Sequence, residues 1–263
     1  MTGVSKSGGS GNVAATPGTV PLMDIRGVSK HFGGLRAVSG VSFTVRRKEI
    51  VGVIGPNGAG KTTLFALLSG FLPLTAGEML FEGNSITGLR PRRLCHAGIA
   101  RTFQTVKPFH DMTVLENVKA ASVFGDRVKR TRQVIEHEVR EILEGTGLAH
   151  VVNQYPPSLS LPQHKRLEVA RAMATRPKLL LLDEVLAGLN PMEVNESMPF
   201  IQSLQADYGI TIMMIEHNLR AIMGMCNRIL VLNFGRLIFD GTPEDAVRDA
   251  GVVQAYLGSS QGA

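Results

Sequence analysis

The chain has 263 residues, and 44% of them are hydrophobic, so it can bury a sizeable core and is not a disordered protein as a whole. Its formal net charge is +6, but the basic residues form scattered clusters without interleaved aromatic residues, which favours a solvated surface or a nearby anionic membrane face over a nucleic-acid partner. No apolar run approaches the ~20 residues of a membrane-spanning helix, no secretory signal opens the chain, and Cys95 and Cys226 lack metal-ligand spacing, so we expect a cytoplasmic protein with free thiols.

The N-terminal part is predicted to contain a tail and the start of a sheet. Residues 1–21 are rich in Gly, Ser, Thr and Ala and are expected to be disordered. Residues 22–28 and 38–45 alternate apolar and polar side chains, as strands of a half-exposed antiparallel sheet do. Phe32 lies between them beside two glycines, where its ring could stack on a nucleotide base, although a phenylalanine considered alone more often belongs to a core.

Residues 50–63 are predicted to form a buried strand, a glycine-rich turn and the start of a helix. The turn carries the pattern G-x-x-x-x-G-K-[ST], which consists here of Gly55, Pro56, Asn57, Gly58, Ala59, Gly60, Lys61, Thr62 and Thr63. Glycines permit the backbone N–H groups to form one concavity for phosphate, and the helix N-terminus adds partial positive charge. Lys61 is then expected to reach the terminal phosphates, and the Thr62 hydroxyl to bind Mg²⁺. A turn without a ligand is disfavoured because the strand and helix lie on either side.

Beyond the phosphate loop, strands are predicted at 77–81 and 99–104, with a helix at 91–97 between them. Gln104, at the end of the second strand, is by itself an ordinary polar residue. Its amide oxygen becomes a candidate ligand for a metal ion or a water only in combination with the motifs that follow.

Residues 113–147 are predicted to be helical. Val128, Ile135, Val139 and Ile142 are spaced by seven, four and three residues, which places them on one helix face. We interpret this stripe as structural packing. Because the block interrupts the alternation of strands and helices, it is predicted to belong to a helical subdomain inserted at about 107–176.

A further helix is predicted to begin within the segment Leu159-Ser160-Leu161-Pro162-Gln163 and to run to residue 173. Pro162 suits the first helical turn, and Ser160 can cap the exposed N–H groups. Capping is one interpretation of this segment. The other is that the helix N-terminus forms a second phosphate-binding surface.

Two more buried strands, predicted at 177–182 and 210–215, end in polar residues. Because the carboxyl ends of parallel strands form the ligand-binding edge of an α/β sheet, Asp183 is a candidate Mg²⁺ ligand, directly or through water. Glu184 is a candidate for orienting or deprotonating an attacking water. His217 could hydrogen-bond the γ-phosphate or that water. The alternatives are an acidic surface turn and an ordinary loop histidine.

The chain is predicted to end with strands at 228–232 and 236–239 and with short helices that start near residues 243 and 252. Together the elements predict an α/β fold. Its P-loop NTPase core is a mixed sheet flanked by helices, with an antiparallel β subdomain and an inserted α-helical subdomain.

The order of these motifs resembles the nucleotide-binding subunit of an ATP-binding cassette (ABC) transporter over residues 22–258, and so implies that ATP and Mg²⁺ are bound. The implied roles are phosphate binding for 55–63, adenine stacking for Phe32, the glutamine loop for Gln104, and the signature for 159–163, in which Ser160 and Gln163 bind the nucleotide. Asp183 is implied to bind the metal, together with Thr62 and Gln104. Glu184 is implied to be the catalytic glutamate, residues 187–190 the loop after it, and His217 the switch histidine, also catalytic.

Within that family, the segments GIARTFQ, MTVLENV, AGLNP and IEHNL are most similar to subunits of branched-chain amino acid importers, with urea or amide importers as neighbours. The resemblance implies integral-membrane permease subunits as partners, contacted through residues 105–109, and a solute-binding protein as an indirect partner. It places the chain at the cytoplasmic face of the membrane. It also implies a second nucleotide-binding subunit, identical or homologous, in a head-to-tail dimer with each ATP between one phosphate loop and the other signature.

The signature departs from the usual LSGGQ of the family, because Leu161 and Pro162 replace both glycines. Pro162 also removes an N–H group that could contact phosphate. We therefore predict an asymmetric heterodimer with one stronger site.

Two other functions compete with this interpretation. A soluble cassette ATPase acting on nucleic acid or the ribosome usually carries two cassettes or a long coiled coil, whereas this chain has one phosphate loop and no sustained heptad repeat. A P-loop kinase for a small molecule does not account for the signature helix or His217.

Overall fold

A computed structural model of the protein describes residues 20–102, 108–125 and 130–258. Nearly all of the predicted N-terminal tail, the candidate ligand Gln104 and Val128 of the helical stripe lie outside the described residues. Within the described ranges, no helix is both long and apolar enough to cross a bilayer.

The predicted elements occur in the predicted order. The strands, numbered along the chain, are β1 (Met23–Phe32), β2 (Leu35–Val45), β3 (Ile50–Ile54), β4 (Ala76–Phe81), β5 (Asn84–Ser85), β6 (Ile99–Arg101), β7 (Leu179–Asp183), β8 (Thr211–Ile215), β9 (Arg228–Asn233) and β10 (Arg236–Gly241). The helices are α1 (Lys61–Leu68), α2 (Pro91–Ala97), α3 (Val114–Phe124), α4 (Arg132–Gly145), α5 (Leu161–Met173), α6 (Pro191–Tyr208), α7 (Leu219–Met225), α8 (Pro243–Arg248) and α9 (Ala250–Gly258). Of these elements, β5, α6 and α7 are additional ones that the sequence pattern did not predict.

The central sheet is mixed and has the order β10-β9-β3-β8-β7-β6. Its strands are parallel from β9 to β6, and β10 pairs antiparallel with β9. The three central strands are buried along their whole length, as their continuous apolar runs predict. Side chains alternate between two cores: Val53 and Leu181 face the core that contains α1, and Ile54 and Leu182 face the core that contains α5 and α6.

The second sheet, β2-β1-β4-β5, is antiparallel, which agrees with the predicted β subdomain. Its first two strands are longer than predicted because the turn between them is tight. Phe32 pairs with Leu35 across two glycines, and Gly33 has the left-handed φ of 56° that suits such a turn. Burial alternates along β2, so one face packs on the core that contains α1.

The predicted helical stretch 113–147 is two helices, α3 and α4, rather than one. The helix caps explain the division, since Thr113 and Thr131 each accept a hydrogen bond from a backbone N–H in the first turn of their own helix. Val139 and Ile142 are buried in the core shared with α3 and α5, which confirms that the described part of the stripe is packing. The bounds of the helical subdomain stay a prediction.

Candidate active site

The phosphate loop, Asp183, Glu184 and His217 lie at the carboxyl ends of three neighbouring parallel strands, β3, β7 and β8. β3 leads into the phosphate loop, β7 ends at Asp183, and β8 ends two residues before His217. Because parallel strands present their carboxyl ends at one edge, residues far apart in sequence meet there.

The phosphate loop requires glycine at both of its ends. Gly55 and Gly60 have φ angles of 149° and 102°. A Cβ atom on Gly55 would lie 2.1 Å from the Leu232 carbonyl oxygen of β9, and one on Gly60 would lie 2.4 Å from the Ala37 carbonyl oxygen of β2. The two ends of the loop therefore pack on neighbouring backbone at distances that exclude a side chain.

The middle of the loop is open. Gly58 has a φ of 77°, and no atom lies within 4 Å of a Cβ placed on it. The helix α1 begins at Lys61 with Gly60 as its N-cap, and among the described residues no side chain caps that end. The first N–H groups of α1 are thus available to an anion. Thr62 is exposed in the same helical turn.

Lys61 is folded into the loop. Its Nζ donates hydrogen bonds to the carbonyl oxygens of Gly55, at 2.7 Å, and Pro56, at 3.0 Å. Burial lowers the pKa of Lys61, and the Glu184 carboxylate opposes that shift. An arriving phosphate would replace neutral carbonyl partners with charged oxygens, which are stronger acceptors.

Asp183 is 2% exposed, so its interpretation as part of an acidic surface turn is wrong. Its Oδ2 accepts a hydrogen bond from Nη2 of Arg101 at 2.6 Å, and its N–H donates to Thr102 Oγ1 at 3.1 Å. The sequence pattern does not single out Arg101. The available signal is that a basic residue inside a short buried strand needs a carboxylate partner.

Glu184 and His217 meet at the same edge, as predicted. His217 Nε2 lies 3.1 Å from Glu184 Oε1. The Glu184 side chain is mostly buried, whereas the His217 side chain is half exposed. Glu184 has a φ of 52°, which is uncommon for a residue with a Cβ atom and is found preferentially at functional sites. The pair can therefore face a ligand from a fixed position.

Two further charged residues are buried behind Glu184, and the sequence pattern assigns them no role. Lys165 of α5 donates from Nζ to the Glu184 carbonyl oxygen at 3.3 Å. Glu216 accepts a hydrogen bond at Oε1 from the Leu186 N–H at 2.8 Å. The pKa of Glu216 is raised to about 7, mainly by burial and also by the Glu184 carboxylate, against the opposing effects of the Leu186 N–H, Lys165 and the His217 N–H.

The signature segment forms the N-terminus of α5, with Ser160 as its N-cap. The Ser160 N–H donates to Gln163 Oε1 at 2.9 Å, as in a capping box. Leu161 packs against the loop after Glu184, because its Cδ2 lies 3.2 Å from the position of a Cβ on Gly188. Gln163 Nε2 lies 3.3 Å from His150 Nε2. The segment is therefore largely occupied by its own contacts.

Phe32 is 46% exposed, so the interpretation of its ring as a core residue is wrong. Lys30 Nζ lies 5.1 Å from the centre of the ring. Stacking on a base stays a prediction. The same holds for a ligand role of Gln104, because that residue lies outside the described ranges.

The residues present fit a magnesium-bound triphosphate. Hydroxyl and carboxylate oxygens, which Thr62 and Asp183 supply, are the ligands that Mg²⁺ prefers. The open middle of the phosphate loop, with the Lys61 ammonium inside it, suits a chain of phosphates.

Fold and site together define a P-loop nucleotide-binding protein of the cassette type. The ABC transporter family model matches residues 38–187, and the chain belongs to that family, whose members couple ATP hydrolysis to transport. The structure is similar to that of a solved ATP-binding cassette of an ABC transporter in its ADP conformation, with a TM-score of 0.82, 32% identity, and coverage of 91% of this chain and 100% of that chain.

Curated relatives match over nearly the same extent. The chain is 38% identical to the high-affinity branched-chain amino acid transport ATP-binding protein BraF of Pseudomonas aeruginosa, over 91% of this chain and 99% of BraF. It is 38% identical to the corresponding protein LivG of Escherichia coli, with the same coverage of both chains.

Proposed function

We propose that this chain is the ATP-hydrolysing subunit of a membrane importer for branched-chain amino acids, or for related urea or amide solutes. The main support for the ATPase role is that Lys61, Asp183 and the Glu184–His217 pair lie at one edge of the central sheet. The solute class is supported by the relatives, which are named as branched-chain amino acid transport proteins.

ATP is proposed to bind with its phosphates in the loop Gly55 to Thr63 and its adenine against Phe32. Lys61 holds the terminal phosphates as a positive charge. Thr62, Asp183 and Gln104 are the proposed ligands of Mg²⁺, directly or through water. Bound Mg²⁺ neutralises negative charge on the β- and γ-phosphate oxygens.

Hydrolysis requires a water that attacks the γ-phosphate. Glu184 is proposed to orient this water and accept its proton. His217 holds the Glu184 carboxylate through the 3.1 Å contact and is placed to hydrogen-bond the γ-phosphate or the water. The low exposure of Glu184 restricts competing contacts with bulk solvent.

A second nucleotide-binding subunit, homologous or identical, is proposed to complete each site with its signature. In this chain Pro162 lacks an N–H, and the Ser160 N–H is bonded to Gln163. Both features favour a heterodimer with one stronger site, in which this chain supplies the weaker signature. A purified homodimer with two equally active sites would contradict the asymmetry.

The remaining partners are proposed to be integral-membrane permease subunits, contacted through residues 105–109, and indirectly a solute-binding protein. This places the chain at the cytoplasmic face of the membrane. No nucleic-acid partner is expected, since the basic clusters carry no interleaved aromatic residues.

The test is reconstitution. The chain is co-purified with the permease subunits encoded beside it, placed in vesicles with ATP, and assayed for leucine uptake, urea uptake and ATP hydrolysis. Glu184→Gln is expected to keep ATP binding and to lower kcat about 10²-fold or more, with uptake lost in parallel. The exposed Glu78→Gln is the matched control and is expected to behave as wild type. Hydrolysis that persists in Glu184→Gln, or sedimentation with ribosomes or DNA instead of membranes, would contradict the proposal.

A further inference from the structure

The backbone at Glu184 needs support from its surroundings. Its φ of 52° is unfavourable for a residue with a Cβ atom, yet this conformation places the carboxylate 3.1 Å from His217. Such a conformation persists only where neighbouring contacts hold it. The contacts of the turn formed by residues 184–186 therefore determine the orientation of the Glu184 carboxylate.

Hydrogen bonds to the main chain of this turn come from a neighbouring strand, from α5 and from Glu216. The Glu184 N–H donates to the Ile215 carbonyl oxygen at 3.0 Å, which continues the pairing of the sheet. The Glu184 carbonyl oxygen accepts from Lys165 Nζ at 3.3 Å, and the Leu186 N–H donates to Glu216 Oε1 at 2.8 Å. The last two come from buried charged side chains, so the turn is held by groups with few alternative partners.

We propose that Glu216 is a positioning residue for ATP hydrolysis. By accepting the Leu186 N–H it fixes the turn that aims Glu184, and Lys165 ties the same turn to the signature helix α5. The proposal rests on the proposed role of Glu184 in directing the attacking water. Glu216 acts through Glu184 and not on the nucleotide.

The required property of Glu216 is an acceptor oxygen at a defined reach. Its carboxylate interacts with the negative charge of Glu184 and the positive charge of Lys165, and its pKa is raised to about 7 mainly by burial. Both the protonated and the ionised form retain an oxygen that can accept from the Leu186 N–H. A glutamine at this position also retains it, whereas an aspartate is one methylene too short.

The test compares three substitutions in the full-length chain, assembled with the second nucleotide-binding subunit and the permease subunits. Glu216→Ala and Glu216→Asp are expected to lower kcat about tenfold while KM for ATP changes less than twofold, because only the aim of Glu184 is lost. Glu216→Gln is expected to keep kcat within about threefold of wild type. Glu49→Ala, which removes a carboxylate bonded to the Arg46 N–H at 2.9 Å, is the control and should leave kcat unchanged.

Thermal unfolding of each variant separates positioning from general damage. If Glu216→Ala does not fold, the kcat values of Glu216→Asp and Glu216→Gln still test whether Glu216 positions Glu184. Wild-type kcat in Glu216→Asp would overturn the proposal, because the reach of the acceptor would then not matter. A kcat for Glu216→Gln as low as that of Glu216→Asp would also overturn it, because the charge of Glu216 would then matter. The ATPase rate of Glu184→Gln is measured in the same assay. If Glu184→Gln still hydrolyses ATP, the proposed catalytic role of Glu184 is wrong. If Glu184→Gln is inactive and the Glu216 variants have wild-type kcat, only the positioning role of Glu216 is wrong.

Discussion

The phosphate loop and the start of the signature helix are both helix N-termini, but they differ in what their N–H groups do. At α1 the N-cap is Gly60, no described side chain bonds that end, and Lys61 lies inside the loop. At α5 the Ser160 N–H is bonded to Gln163, and Pro162 has no N–H to offer. One terminus is open to an anion, and the other is largely satisfied by its own chain.

A helix N-terminus can bind phosphate only through N–H groups that its own chain leaves free, so the two termini differ in their capacity to hold an anion. The sheet edge that carries the first terminus also holds the buried charges Arg101, Asp183 and Glu216, whereas Leu161 at the second terminus packs on Gly188. The comparison therefore predicts large effects for changes at the phosphate-loop edge and small ones at the signature.

The largest effect is expected for Arg101→Met, which breaks the buried ion pair under the phosphate-loop edge. Asp183 would keep a buried charge without its partner, and such a loss costs about 3–5 kcal/mol. Chemical denaturation measures the free energy of unfolding. The control is Arg26→Met, which removes a more exposed pair with Asp24 and should cost less than about 1 kcal/mol. Equal costs for the two variants would contradict the support assigned to Arg101.

The next effect concerns pH. Burial raises the pKa of Glu216 from 4.5 to about 7 in the folded chain, and the groups that face its carboxyl are Glu184, Lys165 and the N–H groups of Leu186 and His217. The folded state therefore holds a proton that the unfolded state releases, and stability falls as the pH rises from 4.5 to about 7. Below 4.5 the full contribution is present. The total loss is about 3 kcal/mol, since one pKa unit corresponds to about 1.4 kcal/mol.

Glu216→Gln cannot release this proton. The free energy of unfolding of wild type, relative to that of Glu216→Gln, should therefore fall by about 3 kcal/mol as the pH rises from 4.5 to about 7. Urea denaturation at several pH values measures this difference. A difference that does not vary with pH would show that Glu216 titrates normally.

Lys61→Ala should weaken ATP binding about 10- to 100-fold, because the charge-assisted contacts of Lys61 with the terminal phosphates are lost. Fluorescence titration with an ATP analogue measures the Kd. Lys178→Ala, an exposed lysine paired with Glu82, serves as control and should bind as wild type. Unchanged affinity in Lys61→Ala would mean that the loop does not hold the phosphates.

The smallest effect is expected at the signature. Leu161→Gly with Pro162→Gly would restore an N–H and free the contact with Gly188, and should raise the hydrolysis rate of the assembled complex about three- to tenfold. Pro243→Gly, at the first position of α8, is the control for a proline at a helix start. A double variant no faster than wild type would show that the native signature already activates fully.

Much of the site followed from local pattern. The strand, glycine turn and helix around Lys61 are specified by short-range chemistry, and the apolar strands before Asp183 and His217 placed both at one edge of a parallel sheet. Division of residues 113–147 into two helices was missed, although Thr113 and Thr131 are suitable caps, because periodicity alone does not locate helix ends.

The sequence by itself determined the cassette class and the order of the predicted elements, and it singled out the residues proposed to hold a triphosphate, since these depend on motifs of a few neighbouring residues. Only the tertiary structure decided which buried charges stand behind them. Arg101, Lys165 and Glu216 find their partners across the sheet or from another helix, and a charge inside a fold is stable only where such a distant partner lies within hydrogen-bond reach.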